Sequence, residues 1–454
     1  MKVHVPSIDI PVQFGDVNSL DRQKRENNYL EHLTFTGAKT IYGKGLPKEV
    51  TDRLLFELEV IEQREAAAYF LFIHELVRVA QSELGAWVGP GRGSCASSLV
   101  NYCLGITKID PLKHDLLFER FLMPEGNDFP DIDLDIDDGG RIRLIEWLTQ
   151  KYGVEYSAHI TTFSSSSSES QRGIHFCGFV VSDVPVSELA PMVYVETEGV
   201  DGTKKQVRCV QYDGWNINEN GLIRFDFIGL TELSMMKDMV NEIKKYKGID
   251  LNMDTIPIDD PKTFELFQNG RTEDVFQFES TGMKRYMRNM HPTCFEDLVI
   301  LNCMYRPGAI DDLGLLIEHK KGYPFRYYIP CMEKYLKNTN GVIVFQEQLM
   351  LIPRLVANFT RKESNTLRKA FGKRQKNIIA EMKPKFIEGG MKNGHDKKAL
   401  KYVWEEMERK GIYAFNKAHG VCYTWIGYQM AYLKAHFPEE FNQIIADYAS
   451  ENKH

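Results

Sequence analysis

The sequence predicts an α+β protein, with a mixed α/β part up to about residue 230 and a mainly helical part after it. Three observations favour this division. Residues 129–136 alternate acidic and aliphatic side chains with the period of a β-strand. Two more segments, 175–182 and 221–230, have the composition of strands. From about 231 onward, apolar residues recur at helical spacing, and Met, Lys and Tyr are abundant.

The first predicted elements are helices and a glycine-rich turn. Within 49–86, apolar residues recur at intervals of three and four, as in amphipathic helices. Residues 88–94, Val-Gly-Pro-Gly-Arg-Gly-Ser, then form a turn before an apolar helix from about 96 to 104. Such a turn can present backbone N–H groups, the Ser94 hydroxyl and Arg92 to a phosphate. An ordinary turn leading into a helix is the alternative interpretation.

The acidic strand at 129–136 comes next. Asp131, Asp133 and Asp135 would share one face, because side chains alternate along a strand. Neighbours on that face lie roughly 6.5 Å apart and repel each other unless a cation joins them. A hard divalent cation, which prefers oxygen ligands, would remove the repulsion. The alternative is an exposed acidic edge strand that ends in a turn at 138–140.

The rest of the first part contains one helix and two strands. Apolar spacing predicts an amphipathic helix over 142–152 that ends at Gly153. The strand at 221–230 places Arg224 and Asp226 on one face. In isolation Asp226 would be an ordinary strand residue. Together with a phosphate turn and an Asp-x-Asp pair, it supplies what phosphoryl transfer with two metal ions requires.

A serine run interrupts this part. Residues 164–170, Ser-Ser-Ser-Ser-Ser-Glu-Ser, have the composition of a flexible linker. Its reach is about 12–15 Å, from 5–6 Å times the square root of its length. Such a linker can join only two chain ends that are already close together.

Length and composition indicate a globular protein of two domains. The chain has 454 residues, of which 43% are hydrophobic and 26% charged. The first residues do not form the apolar core of a signal peptide, and no apolar run has spanning length, so we expect a cytoplasmic location without membrane contact. Eight scattered cysteines without a Cys-x-x-Cys pair argue against a zinc site or a disulfide framework.

The charge distribution leaves a nucleic-acid partner possible. The net charge of −7 argues weakly against one, but residues 361–376 contain seven basic residues and one acidic residue. A local basic stripe matters more to a polyanion than the total charge does. The alternative for this stripe is a solvated helix face.

Ten blocks in one order resemble the C family of polymerases, the alpha subunits of bacterial replicative DNA polymerase III. They cover nearly the whole chain apart from the serine run. The blocks are VGPGRGS (88–94), DPLKHDLLFERFL (110–122), FPDIDLD (129–135), GLIRFDFIGL (221–230), FQFESTGMKRYM (276–287), CMYRPG (303–308), FQEQLM (345–350), LRKAFGKR (367–374), FNKAHGVCY (415–423) and YLKAHFPEEF (432–441).

The resemblance implies a nucleotidyltransferase palm similar to that of polymerase beta at 1–163 and 171–230, and helical fingers at 231–454. It implies that Asp133, Asp135 and Asp226 are catalytic and hold two Mg²⁺ ions, with Asp131 a less certain member. Gln346 and Gln348 would be positioning residues. The nucleotide-binding residues implied are Arg92, Gly93, Ser94, Arg306, Lys373, Arg374, Asn416, Lys417 and His419. For His419 the alternative is packing in its helix, and for Arg306 it is anchoring a turn.

The chain departs from the family pattern in several places. The N-terminal phosphoesterase-type domain, the thumb and the C-terminal modules are not represented, and the linker at 164–170 stands in place of the thumb. Cys95, Ile136 and Arg224 replace a smaller residue, an aromatic residue and a lysine. We therefore expect weakened DNA holding. Contacts with other replisome subunits are not expected through this chain, because the clamp-binding modules are missing.

Two functions follow as expectations. The first is a DNA-directed DNA polymerase core that transfers a deoxynucleotidyl group from a dNTP to the 3′-hydroxyl of a primer on template DNA. The second is an inactive or very weak core module that binds nucleotide or DNA. The three Asp positions favour the first, and the missing thumb favours the second.

Overall fold

The computed structural model describes residues 4–15, 22–126, 129–166, 169–198, 204–212, 217 and 219–451. The chain divides into two compact units. The first unit contains 1–95, 99–108 and 129–237, and the second contains 96–98, 109–128 and 238–454. The predicted boundary near 230 therefore lies seven residues before the observed one. Segment 109–128 belongs to the second unit, which the order of the sequence does not reveal.

A six-stranded sheet is the centre of the first unit, counted over the described residues. Its order is β1-β6-β3-β2-β5-β4, with β1 parallel to β6, β2 parallel to β5, and the other pairs antiparallel. The strands are β1 Leu134–Ile136, β2 Ser157–Ser166, β3 Glu169–Val181, β4 Met192–Glu198, β5 Lys204–Val210 and β6 Arg224–Gly229. The strands predicted at 175–182 and 221–230 are confirmed as parts of β3 and β6.

The acidic strand is shorter than predicted. Only Leu134–Ile136 pairs with β6, in the register Leu134↔Phe227. The Ile132 N–H donates to the Tyr69 hydroxyl at 2.9 Å instead of to a neighbouring strand. This hydrogen bond gives the Ile132 N–H an acceptor although no neighbouring strand pairs with it. The segment at 131–133 is therefore held by the Tyr69 side chain.

The serine run lies in a β-hairpin. Strands β2 and β3 pair antiparallel, and the pairing continues through Ser164↔Gln171 and Ser165↔Ser170 to Ser166↔Glu169. Residues 167 and 168 lie outside the described residues. The predicted flexible linker is thus replaced by paired strands, because the arms on either side are adjacent antiparallel strands that continue their hydrogen bonds into the serines. That this segment stands in place of a thumb stays a prediction.

Helices flank the strands of the first unit along the chain. The helix predicted over 96–104 is a 3-10 turn, Cys95–Ser97, followed by a helix of five residues. The buried Glu57 carboxylate accepts hydrogen bonds from the Leu99 and Val100 N–H groups at 2.9 and 3.0 Å, which fixes the start of this helix. The helices up to the unit boundary are α1 Arg22–Tyr42, α2 Lys48–Gln63, α3 Ala67–Ser82, α4 Leu99–Cys103, α5 Phe118–Phe121, α6 Asp138–Tyr152, α7 Val186–Leu189 and α8 Thr231–Lys247, of which α5 belongs to the second unit.

The core of the first unit joins α3 to β6, the second strand of the sheet. Tyr69 and Phe72 of α3 lie 5.9 and 5.0 Å from the ring of Phe225, measured between ring centroids. Phe225 and Phe227 stack on the same face of β6, at 6.4 Å. The opposite face of β6 is consequently the one that carries Arg224 and Asp226, as the alternation predicted.

The second unit is helical in its described residues, so the predicted α+β architecture is confirmed. Its core packs Phe371, Phe386 and Trp404 together, with Trp404 completely buried. No helix in the described ranges is both long and apolar enough to span a bilayer. The helices are α9 Pro261–Asn269, α10 Thr281–Met290, α11 Phe295–Met304, α12 Leu313–Lys320, α13 Glu333–Leu336, α14 Gln346–Ala357, α15 Arg361–Gly372, α16 Lys376–Lys392, α17 Lys397–Gly411, α18 Lys417–His436 and α19 Pro438–Glu451.

Candidate active site

Two carboxylates of the first unit lie on neighbouring strands. Asp135 is the middle residue of β1, and Asp226 lies on β6, which runs parallel to β1. Both are buried, with 1% and 9% of their surface exposed. Asp133 lies just before β1 and is half-buried, whereas Asp131 is exposed. The fold thus concentrates negative charge at one edge of the sheet.

Two arginines form ion pairs with these carboxylates. Arg92 Nη1 lies 3.3 Å from Asp135 Oδ1, and Arg92 Nε lies 4.0 Å from Asp133 Oδ2. Arg224 Nη2 lies 2.5 Å from Asp226 Oδ2. The family resemblance implies that Arg92 lies near a triphosphate, and neither ion pair follows from the sequence. The sequence signal that could have indicated these ion pairs is the repulsion expected within the acidic strand, because clustered carboxylates require a nearby cation.

The electrostatics of Asp133 reflect this crowding. Burial, and then the negative charges of Asp131 and Asp226, raise the pKa of the Asp133 carboxyl to about 7. Arg92 and Arg224 act in the opposite direction and lower it. The two guanidinium groups therefore compensate the carboxylate cluster only in part, and additional positive charge would be stabilised there.

The glycine-rich turn runs directly beside β1. The Gly89 N–H donates to the Asp135 carbonyl at 2.8 Å, and Val88 forms an isolated bridge with Ile136. A Cβ atom at Gly89 would lie 3.0 Å from the Asp135 Cβ, so the close approach requires glycine. Gly93 has φ +65°, and both it and Ser94 are half-buried. The turn is followed by a 3-10 turn and then by α4, so the helix predicted from about 96 to 104 is shorter than expected.

The next two acidic residues have structural roles. Asp137 is the N-cap of α6: its carboxylate accepts hydrogen bonds from the Gly140 N–H at 3.1 Å and the Trp87 N–H at 2.7 Å. Asp138 accepts a hydrogen bond from the Ser234 hydroxyl at 3.0 Å. The predicted turn at 138–140 is therefore wrong, because these residues form the first turn of a capped helix.

The three predicted metal ligands offer the donors that a hard cation prefers. Within the described ranges, no group of three or more His, Cys, Asp and Glu side chains is already arranged to hold a metal ion. Asp226 Oδ1 is nevertheless buried and accepts no hydrogen bond from the described residues. Gly178 packs closely beside Asp226: a Cβ atom at this position would lie 3.5 Å from that oxygen and 2.8 Å from Ile160 Cδ1. An all-oxygen set with a buried, unsatisfied carboxylate oxygen fits a divalent ion chemically.

In the second unit, the start of α18 is held by a buried carboxylate. Both oxygens of Glu347 accept the Lys417 N–H, at 3.1 and 3.2 Å, and burial raises the pKa of Glu347. The Lys417 ammonium donates to the His114 carbonyl at 2.5 Å. Asn416 is the N-cap residue but makes no side-chain capping hydrogen bond, so Glu347 takes over that function from another helix. Sequence-based reasoning missed Glu347.

Arg306 and His419 pack against aromatic rings. The Arg306 guanidinium lies over the Phe415 ring, 4.5 Å from its centroid, and donates to the carbonyls of Cys303 and Tyr413. His419 lies 4.2 Å from Tyr423 between ring centroids. In this structure Arg306 anchors a turn, and contact of either residue with a nucleotide stays a prediction.

The two glutamines of α14 belong to internal networks. Gln348 Oε1 accepts the N–H groups of Val344 and Phe345 at 2.8 and 2.9 Å. Gln346 Oε1 accepts hydrogen bonds from Arg120 and Arg368, at 2.8 and 3.2 Å. Burial lowers the pKa of Arg368 to about 10. Both glutamines therefore position protein groups.

Only some of the basic side chains in the stripe at 361–376 face solvent. Arg368 points inward to Gln346 and Asn365, and Arg361 Nε lies 2.8 Å from the buried Glu119. Lys373 and Arg374 are exposed at the end of α15, and neither forms an ion pair with a described residue. Both residues of the stripe that were predicted to bind the nucleotide are therefore accessible to solvent.

Comparison with known proteins agrees with the two-part architecture of the chain. The family model described as the bacterial DNA polymerase III alpha NTPase domain matches residues 28–171, and the model of the finger domain of the same subunit matches 232–394. The DNA polymerase III alpha subunit of Aquifex aeolicus is 34% identical, over 92% of this chain and 43% of the relative. That of Borreliella burgdorferi is 33% identical, over 96% of this chain and 42% of the relative.

The chain belongs to the family of bacterial DNA polymerase III alpha subunits. It spans less than half the length of the curated relatives that it matches. The two matched regions fall on either side of residue 230, where the sequence predicts the change from mixed α/β to helical structure. The family prediction is confirmed, whereas the roles of the individual residues remain predictions.

Proposed function

We propose that this chain is a DNA-directed DNA polymerase core that extends a primer with deoxynucleotides. The observation that carries the proposal is the pair of buried carboxylates, Asp135 and Asp226, on adjacent parallel strands, with Asp133 beside them. The curated relatives that the chain resembles are named as DNA polymerase III alpha subunits, which supports DNA and dNTPs as substrates.

Asp133, Asp135 and Asp226 would hold two Mg²⁺ ions in this proposal. When bound, such ions activate the primer hydroxyl and stabilise the leaving pyrophosphate. The protein's own side chains and the glycine-rich turn would bind the phosphates of the substrate. Arg92, which contacts Asp133 and Asp135, would attract a phosphate to the same edge of the sheet. Gly93 and Ser94 would contact the triphosphate through the turn.

The helical unit would bind the incoming nucleotide. Lys373 and Arg374 carry exposed positive charges that can pair with phosphate oxygens. Lys417 and Asn416 would contact the nucleotide from the start of a 20-residue helix. Arg306 and His419 would shape the aromatic surroundings of the nucleotide. We further propose that the thumb is absent, which would weaken the grip on DNA and leave the chemistry intact.

Primer extension on a short primer–template with Mg²⁺ tests the proposal. We expect incorporation at high protein concentration, and its loss in Asp226→Asn. Asp52→Asn, on the exposed surface of α2, is the matched control and should keep full incorporation. A binding readout accompanies activity: Mg²⁺ should raise the thermal midpoint of the parent protein and not that of Asp226→Asn.

A specific observation favours the second candidate function. Arg224 and Arg92 already occupy positions beside the carboxylates, which allows the cluster to remain folded without a metal. A module that only binds nucleotide or DNA would show binding and no incorporation in the same experiment. Incorporation that survives Asp226→Asn would contradict both the assignment of the site and the proposed mechanism.

A further inference from the structure

One segment of the second unit exposes aromatic and basic side chains together. Residues 319–328, His-Lys-Lys-Gly-Tyr-Pro-Phe-Arg-Tyr-Tyr, contain no acidic residue. The exposed fractions of Tyr323, Phe325 and Tyr328 are 63%, 38% and 47%. Large rings are normally buried, so several exposed rings in one segment require an explanation.

The neighbouring helix α17 extends this surface. Tyr328 stacks on Tyr402 of α17, with centroids 5.4 Å apart and an interplanar angle of 4°. Tyr402 is itself 46% exposed, so the pair keeps ring surface open to solvent. Lys398 and Lys401 lie on the exposed part of the same helix. On the other side, Phe325 stacks on His319 at 4.5 Å, which fixes the orientation of its ring.

The basic groups of this surface are available to a partner. Arg326 and Lys401 are exposed and form no ion pair with any described residue. By contrast, Lys320 is paired with Asp297 at 2.7 Å. We call the following residues the aromatic–basic surface: Tyr323, Phe325, Arg326, Tyr328, Lys401 and Tyr402.

We propose that the aromatic–basic surface binds an unpaired strand of nucleic acid. Exposed bases stack on aromatic rings whatever their sequence, and the adjacent cations contact the phosphates. A duplex does not offer its base faces, so it cannot use the rings in this way. The positive charge also distinguishes this partner from an uncharged proline-rich peptide, which would need only the rings. The inference rests on the proposed function, in which a copying enzyme handles an unpaired template, and it adds where that strand is held.

The test measures binding of a fluorescein-labelled oligothymidylate of about 15 nucleotides, a length within the range of known single-strand sites. Fluorescence anisotropy is recorded with EDTA and without dNTP, so binding does not depend on the metal site. The variant Tyr323→Ser/Tyr328→Ser/Tyr402→Ser should lose affinity by about tenfold or more. The variant Tyr323→Phe/Tyr328→Phe/Tyr402→Phe should keep its affinity, because stacking requires the ring and not the hydroxyl. Tyr194→Ser, on the 65% exposed ring of β4, is the matched control and should change nothing.

The charge contribution is tested separately. Arg326→Gln/Lys401→Gln should reduce the slope of log affinity against log salt, by about 0.7 for each lost phosphate contact. Equal affinity of the parent and the triple Ser variant would overturn the inference, as would ring-dependent binding of a duplex equal to that of the single strand. A parent dimer that becomes monomeric in the triple Ser variant would assign the surface to self-association instead. Ring-dependent binding without primer extension would leave this inference standing and remove the proposed function alone.

Discussion

The substitution Asp133→Asn should stabilise the metal-free protein at neutral and alkaline pH. The pKa of this carboxyl is raised from 3.8 to about 7 in the folded state, because burial and two neighbouring carboxylates disfavour its ionised form. A raised carboxyl pKa means that the folded state holds the proton more tightly than the unfolded state. The folded state therefore loses stability as the pH rises from about 4 through 7, and asparagine removes this loss.

The size of the effect follows from the shift. A change of about three pKa units corresponds to about 4 kcal/mol, at 1.36 kcal/mol for each unit. Because 27% of the Asp133 side chain is exposed, solvent screening reduces this, and we expect about 2 kcal/mol at pH 8. For a folding unit of this size, that corresponds to a rise of about 4–8 °C in the thermal midpoint.

Differential scanning calorimetry in EDTA over pH 4–8 measures this difference. The midpoint of the first unit in Asp133→Asn should exceed that of the parent above pH 7, and the difference should decrease steadily toward pH 4. Asp52→Asn, an exposed aspartate of the same unit, should leave the midpoint unchanged at every pH. A lower midpoint at pH 8, or a rise that does not depend on pH, would refute the electrostatic account of the site.

The remaining predictions concern nucleotide binding, packing and thiol reactivity. Lys373→Gln/Arg374→Gln should raise the apparent KM for dNTP in steady-state primer extension, with Lys397→Gln as the exposed control; an unchanged KM removes both residues from the site. Gly178→Ala should lower the free energy of unfolding by about 1–3 kcal/mol, because its Cβ would lie 2.8 Å from Ile160 Cδ1. The control is Gly45→Ala, whose Cβ would meet nothing within 4 Å. Equal thermal midpoints of the two variants in calorimetry would contradict this. Glu347→Gln should lower the unfolding free energy of the second unit by about 1–3 kcal/mol, because a charged acceptor of the Lys417 N–H is lost. Urea unfolding measures this free energy, and the exposed control Glu405→Gln should leave it unchanged. Iodoacetamide at pH 8 should modify the exposed Cys294 before the buried Cys95, because burial raises the pKa of the Cys95 thiol to about 12. Mass spectrometry of the folded protein measures the order, and modification of Cys95 first would contradict the prediction.

Local patterns were sufficient where neighbours in sequence decide the structure. Alternation along 221–230 correctly placed Arg224 and Asp226 on the face opposite Phe225 and Phe227. The same reasoning extended the strand at 129–136 too far, because Tyr69 takes the Ile132 N–H that a sheet partner would have needed. It also read residues 164–170 as a linker, since a serine run by itself contains no signal for the strands that it continues.

The sequence by itself determined the family, the change from mixed α/β to helical structure near 230, and the identity of the acidic residues at the candidate site. These properties depend on residue order and on side-chain periods of two and 3.6, which are visible in any short window. The tertiary structure alone decided which cations form ion pairs with the carboxylates, that Glu347 caps α18, and that 109–128 belongs to the second unit. Such partners lie far apart along the chain, 43 residues for Arg92 and Asp135 and 70 for Glu347 and Lys417, so only the packing of distant elements brings their charges together.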